Sequence, residues 1–148
     1  MRNLYPNLWQ GDISDLNILK TPNGRALGFT LAVNVGSTNF LPPDVFAVHL
    51  PLKDVGERMA NDWRKVAEVV LLIVREIGHG GKVLITCDAG VSRSIVVAGM
   101  VIATLRGVPM DEDLKESVRA ADGLMAKKLW DYGSDVVEGI RRANSVAP

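Results

Sequence analysis

The chain has a single cysteine, Cys87, so it forms no internal disulfide and leaves one free thiol to explain. That fits a reducing compartment. An excess of either charge is also missing. Lys+Arg and Asp+Glu both number 17, so no global field draws the molecule to nucleic acid or an anionic membrane, and attraction for an anion must be local. No stretch approaches the roughly 18 consecutive apolar residues of a membrane span. The opening, MRNLYPNLW, lacks the apolar core of a signal peptide, and repeats, low-complexity tracts and dividing linkers are absent. The expectation is a cytoplasmic protein with one domain over residues 1–148. At 148 residues, 47% hydrophobic, the chain is large enough to bury a real core without staples.

What is present alternates strands with helices. Leu8-Trp9-Gln10-Gly11 reads as a short strand ending at glycine, and residues 12–19 as a small helix with Asp12 or Ser14 as its cap. Thr21-Pro22-Asn23-Gly24 is turn chemistry. Strands are expected over 29–35 and 45–50, separated by a loop whose prolines exclude regular structure. Over residues 62–77, Trp63, Val66, Val70, Ile73, Val74 and Ile77 recur at helical spacing, which predicts an amphipathic helix with Trp63 in the core. Asp62 is placed to cap it. Val83 to Thr86 reads as a strand covered on both faces. Residues 94–105 form a helix apolar nearly all round, hence interior, and Gly107-Val108-Pro109 stops it. Two further helices are expected over 110–121 and 125–143, with Trp130 in the core. The pattern predicts an α/β fold: a mostly parallel central sheet of four to five strands with helices on both faces. Such sheets bind ligands beyond the carboxyl ends of their strands, which is where Cys87 falls.

Cys87-Asp88-Ala89-Gly90-Val91-Ser92-Arg93-Ser94 joins that strand to the buried helix and carries the pattern C-x5-R-S. A lone buried cysteine is ordinarily an inert small hydrophobe. A strand before it, a glycine within the loop and a helix after it argue otherwise. Only the thiolate is a useful nucleophile. N–H dipoles, a helix N-terminus and a guanidinium around the sulfur favour that form. The N–H groups of residues 88–93 (Asp88, Ala89, Gly90, Val91, Ser92 and Arg93) are expected to hold three phosphoryl oxygens, best in the trigonal, charge-rich transition state. Gly90 permits the inward curl. Arg93 offers a planar fork that lysine cannot reproduce. Ser94 is expected to donate a hydrogen bond to the sulfur as a phosphocysteine breaks down. Since dipoles and Arg93 supply the positive potential, no metal or organic cofactor is called for, and phosphate or a related oxyanion should occupy the loop.

The loop has the pattern of the cysteine-dependent protein tyrosine phosphatases, and the chain resembles their dual-specificity branch over nearly its whole length. The segments that carry the likeness are Leu4 through Asp12, Phe29 through Val35, Val48-His49-Leu50-Pro51-Leu52-Lys53-Asp54, and the stretch from Gly80 through the helix after the loop. The resemblance implies a protein tyrosine phosphatase-like fold and a compact member whose shallow cleft accepts phosphoserine and phosphothreonine as well as phosphotyrosine in proteins. It also implies a general acid on the loop after the strand over 45–50, a position that Asp54 matches. Glu57 and Asp62 are the rivals, the first read as solvated and the second as a helix cap. The chain departs from the family at Thr86, where most members have histidine. Thr86 either leaves Cys87 less readily ionised or substitutes a hydroxyl hydrogen bond. Asp88 puts a carboxylate beside a dianion site and is expected to point outward into solvent.

Other residues are read more plainly. Asn34 either braces the loop or caps a turn, His49 and His79 have no catalytic part, and Arg119 is a surface charge. Two rival functions remain. A phosphatase of RNA 5′-triphosphates or phosphoinositides is disfavoured because loop positions 88–92 carry no basic residue. A catalytically silent phospho-binding module is disfavoured by the retention of Cys87 and Arg93 with an acid candidate.

Overall fold

The structure is a computed structural model that describes residues 1–53, 62–90, 92–121 and 123–146. The first two strands, β1 (Arg2–Tyr5) and β2 (Leu8–Gly11), form an antiparallel hairpin that turns at Asn7 in a left-handed conformation, φ 64°. Helix α1 (Ile13–Ile18) follows, capped by Asp12. Its carboxylate accepts the Asp15 N–H at 3.0 Å while the Asp15 carboxylate accepts the Asp12 N–H at 3.0 Å, a reciprocal capping box. The Thr21–Gly24 turn is drawn into a one-turn helix, α2 (Pro22–Arg25), because Thr21 caps the Gly24 N–H and Pro22 sits at the first helical position.

Strands β3 (Leu31–Asn34) and β4 (Phe46–His49) are followed by α3 (Trp63–Gly78), β5 (Val83–Thr86) and α4 (Arg93–Arg106). The last two helices are α5 (Glu112–Ser117) and α6 (Leu124–Val146). The sheet order is β1-β2-β5-β3-β4, parallel apart from the first pair, so the expected α/β architecture is the one observed. Side-chain alternation along the strands divides the interior. Leu8, Leu31, Val33, Val83 and Ile85 face α3, α4 and α6, whereas Trp9, Ala32 and Leu84 face Leu16 and Leu19 at α1. Helix α4 is buried from Ser94 through Ala103, as its all-round apolar sequence requires.

Two expectations about the helices are corrected. Trp63 is 50% exposed rather than core. It occupies the first position of α3, just after its cap Asp62, with the Arg64 guanidinium 5.8 Å from its ring and α6 passing near Gly139. Helix α5 stops at Ser117 instead of continuing to 121. Arg119 adopts φ 54°, with its N–H donating to Glu116 O and that of Ala120 to Lys115 O, both at 3.1 Å, which closes the helix as a Schellman motif. Trp130 is core, its indole N–H donating to Met110 O at 3.1 Å. Among the described residues, no helix is long and apolar enough to cross a membrane, and no group of three or more His, Cys, Asp or Glu is placed to hold a metal ion.

Candidate active site

Cys87 follows β5, the central strand, and α4 begins six residues later. The intervening loop is held by the strand ends on both sides. Val35 N–H donates to Thr86 O at 2.8 Å, Cys87 N–H to Gly11 O at 3.4 Å, and Ile13 N–H to Asp88 O at 3.4 Å. Gly90 has φ 71°, and a Cβ there would lie 3.0 Å from the Gly11 carbonyl oxygen, so both its conformation and its surroundings require glycine. Val91 lies outside the described residues. At the start of α4 the Ser92 side chain makes no capping bond.

Cys87 is buried, and its sulfur lies 3.1 Å from the Ser94 hydroxyl oxygen, itself fully buried. The loop thus brings Cys87 and Ser94 together as expected. Arg93 also turns to this side. Its Nη1 donates to Ser37 Oγ at 3.0 Å and to Leu52 O at 3.2 Å, and its Nη2 to the Asp88 carboxylate at 3.2 Å. Its Nε is buried and has no acceptor among the described residues. A buried donor left unpaired costs about 1–3 kcal/mol, which an oxyanion beside Nε would relieve.

Asp88 is partly exposed but is not simply solvated, which corrects the sequence expectation. Its carboxylate accepts the Ser37 and Thr38 N–H groups, each at 3.0 Å, as well as Arg93. Burial opposes the charged form. The Thr38 and Ser37 N–H groups, with the Thr38 and Arg93 side chains, outweigh it and lower the pKa from 3.8 to about 2. Gly36 makes this closure possible, since a Cβ there would be 2.8 Å from Asp88 N. Asn34 serves the same loop as a turn cap. Its Oδ1 accepts Gly36 N–H at 2.9 Å, and its Nδ2 donates to Thr38 O and Phe40 O. His49 braces it from β4, with Nε2 2.8 Å from Gly36 O.

Thr86 does not replace the missing histidine with a hydroxyl bond: its Oγ1 is buried with no partner among the described residues. The residue reaching the cysteine–serine pair is one the sequence reading missed. Gln10 Nε2 donates to Ser94 Oγ at 2.9 Å and to Gly90 O at 2.7 Å, while Gln10 Oε1 accepts Arg2 Nε at 2.9 Å. Arg2 and Gln10 are register partners across the β1–β2 hairpin, and Arg2 Nη2 reaches Val118 O at 2.7 Å. A usable signal was present, because Leu8 and Gln10 share one strand face and a glutamine there enters an otherwise apolar interior. Asp54 and Glu57 lie outside the described residues. Asp62 caps α3, accepting Arg64 N–H at 3.0 Å. His79 and Arg119 are exposed.

No protein-family profile and no curated protein matches the chain. Solved structures do. The chain is similar to human DUSP28 at 18% identity, covering 97% of this chain and 99% of that one with a TM-score of 0.73. It is similar to DUSP15 at 19% identity, covering 100% and 97%, TM-score 0.74. A third neighbour is the human tyrosine phosphatase-like serine/threonine/tyrosine-interacting protein, at 22% identity over 96% and 97%, TM-score 0.73. At these identities the likeness is one of fold, and it spans the sheet, the loop and the helices that flank them. The protein therefore has the fold of the compact dual-specificity phosphatases of the protein tyrosine phosphatase superfamily.

Proposed function

We propose that the protein is a cysteine-dependent phosphatase acting as one domain over residues 1–148, hydrolysing phosphotyrosine and also phosphoserine and phosphothreonine in proteins. The observation that carries this reading is the buried Cys87 sulfur 3.1 Å from Ser94 Oγ, in a loop whose arginine keeps a buried Nε with no acceptor among the described residues. The substrate phosphoryl group enters the loop with its oxygens on the N–H groups of residues 88–93 and on the Nε and Nη2 edge of Arg93. The Cys87 thiolate attacks phosphorus, and the bond to the ester oxygen breaks. Asp54 protonates the departing phenolate or alkoxide. Water, deprotonated by the same carboxylate, then attacks the phosphocysteine. The sulfur leaves as thiolate, accepting the Ser94 hydroxyl proton in a hydrogen bond, and inorganic phosphate is released. No step calls for a cofactor.

The test is turnover of p-nitrophenyl phosphate in excess chelator. Cys87→Ser should lower it on the order of 10⁴-fold or more, and an active variant or a chelator-sensitive wild type rejects the mechanism. Asp54→Ala should cost roughly 10²-fold or more with alkyl phosphates, whose leaving groups need a proton. It should cost far less with nitrophenolate, and equal losses remove Asp54 as the acid. Phosphopeptides should be turned over in preference to RNA 5′-triphosphate and phosphoinositide, and the reverse order overturns the protein-substrate reading.

A further inference from the structure

We propose that Arg2 and Gln10 are positioning residues that aim the Ser94 hydroxyl proton at Cys87 and thereby favour its thiolate. The inference rests on the phosphatase reading for its purpose, although not for its geometry. A guanidinium can only donate, so the Gln10 atom 2.9 Å from Arg2 Nε is the amide oxygen, and the orientation of the amide is fixed. Its nitrogen then faces inward with two protons. Three acceptors surround it, and the two protons go to the near ones, Gly90 O at 2.7 Å and Ser94 Oγ at 2.9 Å, with Gly11 O at the longer 3.4 Å. Ser94 therefore accepts from Gln10, and its own single proton is left for the Cys87 sulfur at 3.1 Å. Ser94 is fully buried, so no solvent competes for that proton.

A hydroxyl proton aimed at sulfur asks for a lone pair there. A thiolate supplies one and gains a charge-assisted bond. The same bond serves the sulfur when it leaves phosphorus. Arg2 extends the chain outward: its guanidinium, tied at the other end to Val118 O, polarises the amide and, through it, the hydroxyl. The arrangement runs from the first strand to the nucleophile through three consecutive donors. It enters from the opposite side of the loop to Arg93 and Asp88.

The measurement is the pH dependence of Cys87 alkylation by iodoacetamide on the full chain, which reads the thiol without turnover. Gln10→Leu should move the profile's midpoint upward by about one unit, a roughly tenfold change in the thiol's ionisation constant. Ser94→Ala should move it at least as far. The double variant should go no further than Ser94→Ala alone, because Gln10 acts through that hydroxyl. A glutamine that merely shaped the loop through Gly90 would add its effect in the Ser94→Ala background. Other charged groups around the loop, Arg93 and Asp88, Asp12 and Asp15 at the head of α1, and His49 on β4, are unchanged in all three proteins. Arg2→Met should shift the midpoint the same way by a smaller amount, and Arg2→Lys should restore part of it. If Gln10→Leu fails to fold, Arg2→Met carries the test.

An unmoved midpoint in Gln10→Leu or, failing that, in Arg2→Met overturns the proposal, as does an additive double variant. A wild type that hydrolyses no phosphate ester yet shows a Gln10-dependent midpoint supports the relay and rejects the phosphatase reading. Turnover with a Gln10-independent midpoint does the reverse.

Discussion

At the scale of single residues, the proposed function sets Asp88 and an incoming phosphate in competition for the same edge of Arg93. The carboxylate holds Nη2 at 3.2 Å, so a bound dianion takes over a donor that is already occupied. Removing the charge should sharpen the loop's appetite for anions. Asp88→Asn is expected to make inorganic phosphate a roughly fivefold tighter inhibitor, as a partly exposed ion pair worth about 1 kcal/mol implies. Inhibition constants at fixed pH check it, and weaker inhibition contradicts the competition. The same substitution has a structural cost, because the Ser37 and Thr38 N–H groups bond different carboxylate oxygens and an amide would turn its NH2 towards one of them. The folded-state pKa of Asp88, about 2, lies below the usual aspartate value, so its stabilisation is complete above about pH 4 and is lost as pH falls towards about 2. Asp88→Asn should therefore be less stable than the wild type at neutral pH and converge on it within that window. Urea melts across the range read this, and a gap that acid does not close refutes it.

At the scale of elements, the end of α5 holds a removable strain. Arg119 takes φ 54° where a Schellman motif favours glycine, and its charge opposes that of Arg2. Arg119→Gly should stabilise the protein by about 1 kcal/mol, a rise in melting temperature of roughly 2–4 °C. A lower melting temperature would show that its side chain contributes more than its backbone costs. Arg119-Ala120-Ala121 has good helix propensity, which is why the sequence extends this helix too far. The termination depends on the carbonyls of Lys115 and Glu116 being met from beyond the helix, something periodicity does not encode. Elements whose signals are local were legible. The caps Asp12 and Asp62, the fully covered strand β5 and the interior helix α4 all follow from neighbouring residues. Cys87, Arg93 and Ser94 were legible for the same reason, since one short loop carries them. The partners of Gln10 and Asp88 were not. Gln10 bonds Gly90 and Ser94, and Asp88 bonds Ser37 and Thr38, residues far away in the chain that only sheet assembly brings near.

At the scale of the molecule, the net charge is zero, so the anion binding we propose would be a property of one loop rather than of the surface. Tungstate bound only by the folded loop should raise the melting temperature with its concentration. At a hundred times its dissociation constant the gain is about 2.7 kcal/mol. Arg93→Met should abolish that rise, and added chelator should leave it intact. A tungstate effect that survives in Arg93→Met would place the anion elsewhere.

The sheet order also bears on when this thiol becomes useful during synthesis. The loop is braced by Arg2 and Gln10 near the beginning of the chain, by Ser37 and Leu52 in the middle, and through Arg2 by Val118, translated long after the cysteine itself. A polypeptide still emerging from the ribosome carries Cys87 without its full set of supports, so the proposed nucleophile would be fully prepared only once the later helices have emerged and docked.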